Sequence, residues 1–259
     1  LVRIEDVDPP REHPGAADMI LEALEAYGFE WDGAVIYQSR SRDAHLQALA
    51  RLLEENLAYP CGCSRKDLAH VPRGPLGTIY PGTCRNGTTA RETATRVRTS
   101  DEPVTFVDGL QGRQSQRLES EGGDFVIFRR DGLVAYHLAV VVDDHLQGIT
   151  EIVRGIDLMD STPRQIWLQR LLGYATPHYQ HIPVAVHPDG SKLSKLTGAV
   201  ALPLDRVVAV LVAALRALGQ RPPTELTTSP VAEVWNWALK HWQIKVLEGH
   251  TIVEENPLR

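Results

Sequence analysis

All three cysteines of this 259-residue chain fall between Cys61 and Cys84. They lie in a stretch from Pro60 to Glu102 that is rich in Gly, Pro, Thr and charged residues. So few large apolar side chains cannot build a core, which makes this an inserted module nucleated by a metal ion. An odd, clustered set of thiols is a poor disulfide framework and suits metal binding in a reducing compartment. In Cys61-Gly-Cys63 a tight turn can present two thiolates to one ion, and Cys84 closes the loop. Zinc generally takes four tetrahedral ligands, with thiolate sulfur at about 2.3 Å. The fourth position is open to Tyr80, four residues before Cys84, or to His70. Spacing alone prefers His70, because a phenol is costly to deprotonate without the metal. The competing reading is three incidental free thiols.

Around this module the pattern alternates between strands and helices, which predicts an α/β core. Leu1–Ile4 has strand character. Ala17, Ile20, Leu21, Leu24 and Tyr27 recur at helical spacing, with Gly28 as the stop. A short strand at Val35–Tyr37 precedes a second amphipathic helix carrying His45, Leu46, Leu49, Leu52 and Leu53, which ends near Asn56. Val104–Val107 and Phe125–Phe128 are expected strands, joined by the polar stretch Gly109–Gly123. Ala135–Asp143 is nearly continuous apolar and predicts a central strand or a strand entering a helix. Ile149–Arg154 predicts a strand, and Thr162–Leu172 a helix with Pro163 in its first turn. His181–His187 is strand-like, and helices are expected at Leu204–Leu218 and near Val231–Trp242. The expected division is 1–59 for the first part of the core, 60–103 for the zinc-binding insertion, 104–187 for the second part, and 188–259 for a loop and helical subdomain.

No apolar run approaches the ~20 residues needed to span a bilayer, so no membrane is expected to be a partner. The formal net charge of -6 argues against a globally basic nucleic-acid glove and leaves room for a local basic face. No Gly-x-Gly-x-x-Gly follows an early strand, which counts against a nicotinamide-binding domain.

The sharpest short motif is Ser191-Lys192-Leu193-Ser194-Lys195, after the Pro-Asp-Gly turn at 188–190. Two ammonium groups beside two hydroxyls can surround a triphosphate and neutralise charge moving toward pyrophosphate. Taken alone, such a turn is more often simply solvated.

The Lys-Leu-Ser-Lys form, late in an α/β core, resembles the ATP-loop signature of class I aminoacyl-tRNA synthetases. LVRIEDVDPPR at 1–11 and DGLVAYHLAVVVDDHLQGITEIVRGIDLMDSTPRQIWLQRLLG at 131–173 resemble the glutamyl family of that class. The Cys-x-Cys then Tyr-x3-Cys arrangement, with a short C-terminal part, resembles its glutamyl-queuosine branch. That resemblance implies an incomplete Rossmann-like class I core and one structural zinc on Cys61, Cys63, Tyr80 and Cys84. By the same resemblance Glu5 meets the α-ammonium of L-glutamate, Arg154 offers a fork to a carboxylate, and Tyr136 adds a hydroxyl and an aromatic wall. Lys192 and Lys195 serve catalysis, with Lys195 also binding ATP, and Mg²⁺ accompanies the nucleotide. Arg3 is expected to help hold this centre. The implied activity is glutamate activation and transfer to queuosine at the wobble position of tRNA(Asp), by a cytoplasmic monomer. A family member would carry an early strand, a Gly-rich turn and a His-bearing helix N-terminus before Leu1, so this chain alone is expected to activate glutamate poorly. The alternatives are a truncated ordinary glutamyl-tRNA synthetase and a non-catalytic, zinc-stabilised RNA-binding fragment. Asp143, Asp144 and His145 attract an acid–base reading, but shaping the adenylate pocket is the preferred one.

Overall fold

The computed structural model describes residues 1–193 and 201–254. Strand β1 (Arg3–Ile4) is followed by helix α1 (Ala16–Ala26), strand β2 (Ile36–Tyr37) and helix α2 (Arg42–Glu54). The module contributes β3 (Ala58–Cys61), β4 (Arg73–Gly74), β5 (Gly77–Thr78) and β6 (Ala94–Val97). Then come β7 (Val104–Asp108), β8 (Gly112–Gln116), the short helix α3 (Leu118–Glu121), β9 (Val126–Phe128), α4 (Tyr136–Leu146) and β10 (Glu151–Gly155). Helix α5 (Thr162–Leu172), β11 (His178–Ile182) and β12 (Val184–Val186) lead to α6 (Val207–Ala217), α7 (Val231–His241) and β13 (Ile252–Glu254).

Two parallel arrangements make the α/β core. Strands β1 and β2 pair with each other, while β10, β11 and β7 run parallel, with β8 antiparallel at the edge. The main core gathers Leu49 and Leu52 of α2, Leu138 to Val142 of α4, and Ile166, Leu168 and Leu172 of α5 against Val104 and Tyr179 of the sheet. A second cluster joins Val212 and Leu215 of α6 to Val234 and Ala238 of α7. No helix among the described residues is long and apolar enough to cross a membrane.

Three expectations are corrected. The run Ala135–Asp143 is helix α4 and not a central strand. Seven consecutive residues, Leu138 to Asp144, are buried, so the helix is packed on all sides and its 3.6-residue period vanishes from the sequence. The polar stretch Gly109–Gly123 is no mere connection, because it holds β8 and α3. Edge strand β8 carries Arg113, Gln114, Ser115 and Gln116, so no apolar face betrays it. The single strand expected over His181–His187 is two strands that part at Pro183. Proline has no N–H for the ladder, and the chain there changes partners, from β10 and β7 to β13.

The module sheet is antiparallel in the order β3–β6–β9. It therefore draws its third strand from beyond residue 103. Gly123, with φ of 70°, bridges to Tyr80 just before this strand. A Cβ there would lie 2.5 Å from the Tyr80 backbone N, so only glycine admits the approach.

Candidate functional site

The parallel strands carry polar residues at their carboxyl ends. Asp108 is the last residue of β7, Arg154 and His181 are the fourth of five in β10 and β11, and Glu5 follows β1 directly. Arg154 and His181 are paired in register. In open α/β sheets, ligands bind in the crevice outside such carboxyl ends. Tyr136, the first residue of α4, joins them: its phenol feels the charges of Arg154, Glu5 and Asp144. Burial pushes the Tyr136 pKa up and the Glu5 and Asp144 carboxylates add to it, against the opposing charge of Arg154, so the phenol stays a neutral donor. Glu5, Tyr136 and Arg154 thus share one neighbourhood that offers both signs of charge.

Arg3 anchors the acidic side. Its Nη1 lies 2.8 Å from both Asp144 Oδ1 and Gln147 Oε1, and its Nη2 lies 3.1 Å from Glu5 Oε1. Arg154 is held from the other side. Its Nε donates to His181 Nε2 at 3.1 Å, and its Nη2 to Thr162 Oγ1 at 2.7 Å and the Leu158 carbonyl at 3.4 Å. The guanidinium carbon sits 5.3 Å from the Tyr179 ring centroid. Among the described residues Nη1 donates to none. A charged fork with one free arm can take a carboxylate.

Lys192 bridges back to Val186 across the 188–190 turn, and its Nζ meets Asp157 Oδ2 at 2.5 Å. Asp157 follows Arg154 by three residues, so Lys192 reaches the same end of β10. Lys195 lies outside the described residues. Asp143 is buried with His45 at 2.9 Å, and His145 stacks on Tyr174 with ring centroids 3.7 Å apart. Trp167 donates to the Arg98 carbonyl and Trp235 to that of Tyr27, which ties both indoles into the fold.

Sequence reasoning missed Asp108, Thr162 and His181. Their one signal was a polar residue closing an apolar strand, as Asp108 does after Val-Thr-Phe-Val.

The module's own small core is built on the donor set: Cys61, Tyr80 and Cys84 are buried with Tyr59, and Cys63 lies beside them. The three sulfurs lie within 4.8 Å of one another. Cys63 and Cys84 are 3.6 Å apart, and Tyr80 Oη lies 3.3 Å from Cys61 and 3.7 Å from Cys63. Four ligands about 2.3 Å from one ion would be spaced at about 3.8 Å, so the cluster has the dimensions of a tetrahedral site. His70 is exposed, and no histidine or carboxylate among the described residues joins the group. Burial pushes the Cys63 thiol up to about 11. Burial also opposes ionisation of Cys84, yet hydrogen bonds from Tyr80, the Gly62 N–H and the other thiols bring it down to about 7. One thiolate is thus solvated by its neighbours' protons, which a divalent cation would displace. Arg96 adds a fixed positive charge, with Nε 3.3 Å from Cys61 Sγ and its guanidinium 4.0 Å from the Tyr80 ring centroid. The cluster fits a metal such as zinc.

A parallel sheet with charged residues gathered at its carboxyl ends and an inserted thiol module fits a class I aminoacyl-tRNA synthetase catalytic domain. The family described as tRNA synthetases class I (E and Q), catalytic domain, matches residues 1–210. The chain is 52% identical over 258 residues to a glutamyl-Q tRNA(Asp) synthetase of Dechloromonas aromatica, covering 98% of this chain and 86% of that one. A Pseudomonas aeruginosa glutamyl-Q tRNA(Asp) synthetase is 55% identical over 243 residues, covering 93% and 81% of the two chains. In fold, the chain is similar to a glutamate-tRNA synthetase from Elizabethkingia anophelis, with a TM-score of 0.76 at 20% identity. That likeness covers 97% of this chain and 60% of the longer one. The chain belongs to the class I glutamyl and glutaminyl tRNA synthetase family, within the glutamyl-Q tRNA(Asp) synthetases.

Proposed function

We propose that this protein activates L-glutamate with ATP and transfers it to queuosine at the wobble position of tRNA(Asp). What supports this reading is that Glu5 and Arg154, at the carboxyl ends of parallel strands, both act electrostatically on the buried Tyr136 phenol. Glu5, steadied by Arg3, receives the α-ammonium, and Arg154 receives the side-chain carboxylate. Tyr136 walls the site and donates its hydroxyl. So clamped, the α-carboxylate attacks the ATP α-phosphate in line, giving glutamyl-adenylate and pyrophosphate. Orientation and charge stabilisation supply the catalysis, and no covalent enzyme intermediate is needed. Lys192 and Lys195 of the loop stabilise the departing phosphates, with Mg²⁺ on the nucleotide. A hydroxyl of the queuosine cyclopentene ring then attacks the activated carbonyl and releases AMP.

Zinc is the metal proposed for Cys61, Cys63, Cys84 and Tyr80. Bound there it holds the module together, and its positive charge favours the Tyr80 phenolate. With all four positions filled, it leaves no place for a reacting water.

The decisive measurement is glutamate-dependent pyrophosphate exchange on the full-length protein. Arg154→Ala should raise the KM for glutamate about a hundredfold while leaving that for ATP unchanged, since charged hydrogen bonds are worth roughly 1.5–3 kcal/mol each. An unchanged glutamate KM would remove Arg154 from the site. Lys195→Ala should cut adenylate formation with zinc content intact, and equal loss of both would mean folding damage. Transfer should require queuosine in tRNA(Asp). Charging of the terminal adenosine on unmodified tRNA would instead favour an ordinary glutamyl-tRNA synthetase.

A further inference from the structure

Arg154 is held by a buried relay that the glutamate site does not itself explain. His181 and Asp108 are fully buried, and Nδ1 of the ring lies 2.6 Å from Asp108 Oδ2. On its far side Nε2 lies 3.1 Å from Arg154 Nε and 3.1 Å from Thr162 Oγ1. These partners fix the protons. A guanidinium N–H can only donate, so Nε2 must present its lone pair. Asp108 as a carboxylate can only accept, so Nδ1 must carry the hydrogen. The Thr162 hydroxyl accepts from Arg154 Nη2 and turns its own hydrogen toward Nε2. Asp108 is in turn immobilised: Oδ1 accepts from the backbone N–H of Leu110, Gln111 and His181 at 3.0, 2.9 and 3.2 Å.

Two arms of the Arg154 guanidinium are therefore spoken for, and the third is left to the site. We propose that His181, locked by Asp108 as its neutral Nδ1-protonated tautomer, is the positioning residue that aims Arg154 and so sets the affinity for glutamate. The proposal rests on the assignment of Arg154 to the glutamate carboxylate. Nothing in it requires His181 to touch substrate. A guanidinium tethered only at Nη2 would swing about that bond, and the entropy of holding it would then be drawn from substrate binding.

The arrangement makes Asp108→Asn an informative substitution. Oδ1 must keep its three backbone donors, so the new amide NH₂ takes the place of Oδ2 and faces Nδ1. Two donors cannot share that bond. The ring must move its hydrogen to Nε2, which then opposes the Arg154 Nε–H. This replaces an attraction by a clash of donors without changing side-chain volume.

The test is two-bond ¹H–¹⁵N imidazole spectroscopy combined with glutamate and ATP kinetics of the full-length protein. In the unaltered protein His181 should carry its hydrogen on Nδ1, and in Asp108→Asn on Nε2. Asp108→Asn and His181→Phe should each raise the glutamate KM about tenfold or more with the ATP KM unchanged. His181→Gln, whose Oε1 can replace the Nε2 acceptor, should recover most of that loss. A hydrogen on Nε2 in the unaltered protein overturns the proposal, even if the variants do not fold. So does a parallel loss of glutamate and ATP affinity, which would mark a purely structural pair. If Arg154→Ala raises the glutamate KM and these variants do not, the relay fails and the glutamate site stands. If Arg154→Ala itself has no effect, the glutamate site is what fails.

Discussion

Cys84→Ala is expected to abolish stoichiometric zinc and melt the module between residues 61 and 94 while the α/β core stays folded. A structural zinc contributes an apparent free energy of about 10–16 kcal/mol near neutral pH, which is folding energy for the segment it closes. Without it, the segment keeps Cys61, Tyr80 and Cys84 in a small buried cluster with Tyr59, Cys63 and Leu68 packed against it, and sends Leu76 alone into the main core among the described residues. Cys84 holds this cluster in two ways, as a sulfur 3.6 Å from Cys63 and through its backbone N–H on Tyr80 Oη at 2.9 Å. Alanine removes the first and keeps the second, so the effect isolates the metal. The main core shares no residue with this cluster, which is why loss should be local. Zinc per chain by emission spectroscopy, with limited proteolysis mapped to the module, measures it. Full zinc occupancy in Cys84→Ala would end the ligand assignment. Tyr80→Phe separates the fourth ligand from the ring packing under Arg96: it should weaken zinc without unfolding the module, whereas His70→Ala should change nothing.

Asp124→Ala is expected to cost about 3–5 kcal/mol, since several buried donors lose one acceptor at roughly 1–3 kcal/mol each. The Asp124 side chain is fully buried and Arg85 meets it twice, Nε to Oδ2 at 2.6 Å and Nη2 to Oδ1 at 2.7 Å. Tyr59 Oη donates to Oδ2 at 2.5 Å, and Thr99 donates both its N–H, at 2.7 Å, and its hydroxyl, at 2.9 Å, to Oδ1. Alanine would leave Tyr59 Oη, both Thr99 donors and Arg85 Nε without this acceptor, while Arg85 keeps Glu119 on Nη1 and the Thr99 carbonyl on Nη2. Because Tyr59 belongs to the thiol cluster and Thr99 follows β6, the carboxylate ties the module to the sheet beneath it. Burial alone would raise the Asp124 pKa, but the hydrogen bonds from Arg85, Tyr59 and Thr99 outweigh it and hold the group below the ordinary carboxylate range. The sign of the pH effect follows. The stabilisation is fully present above the unfolded-state value near pH 4 and is lost as pH falls through the folded-state value. Chemical denaturation at neutral pH should show the loss, and acid titration should show the unaltered protein giving up this contribution below about pH 4 while Asp124→Ala has none to give. A variant as stable as the parent at pH 7 would refute the hub.

Much of the frame was legible from residues alone. Helix α1 shows the 3.6-residue pattern because only one face of it is covered, and α5 was marked by Pro163 in its first turn. The thiol module was legible from what it lacks, since a segment without apolar bulk has to be closed by something else. Helix α4 was not legible, because a helix buried on every side loses its period. Strand β8 was hidden by an all-polar edge, and the break between β11 and β12 turned on the missing N–H of one proline.

For the cleft, the sequence by itself determined which charged groups exist, and family likeness singled out Glu5, Tyr136 and Arg154 among them. Only the tertiary structure decided who holds whom. Asp108, Arg154, Thr162 and His181 come from four separate segments, and a hydrogen bond between them depends on the registers of β7, β11 and β10 against α5. Local propensity records what a residue does to its own backbone, whereas the aim of a guanidinium is set by partners 27 and 8 residues away along the chain. The same holds for the proposed fourth metal donor: spacing preferred His70, and it is folding that leaves this imidazole exposed and carries the Tyr80 hydroxyl in among the sulfurs.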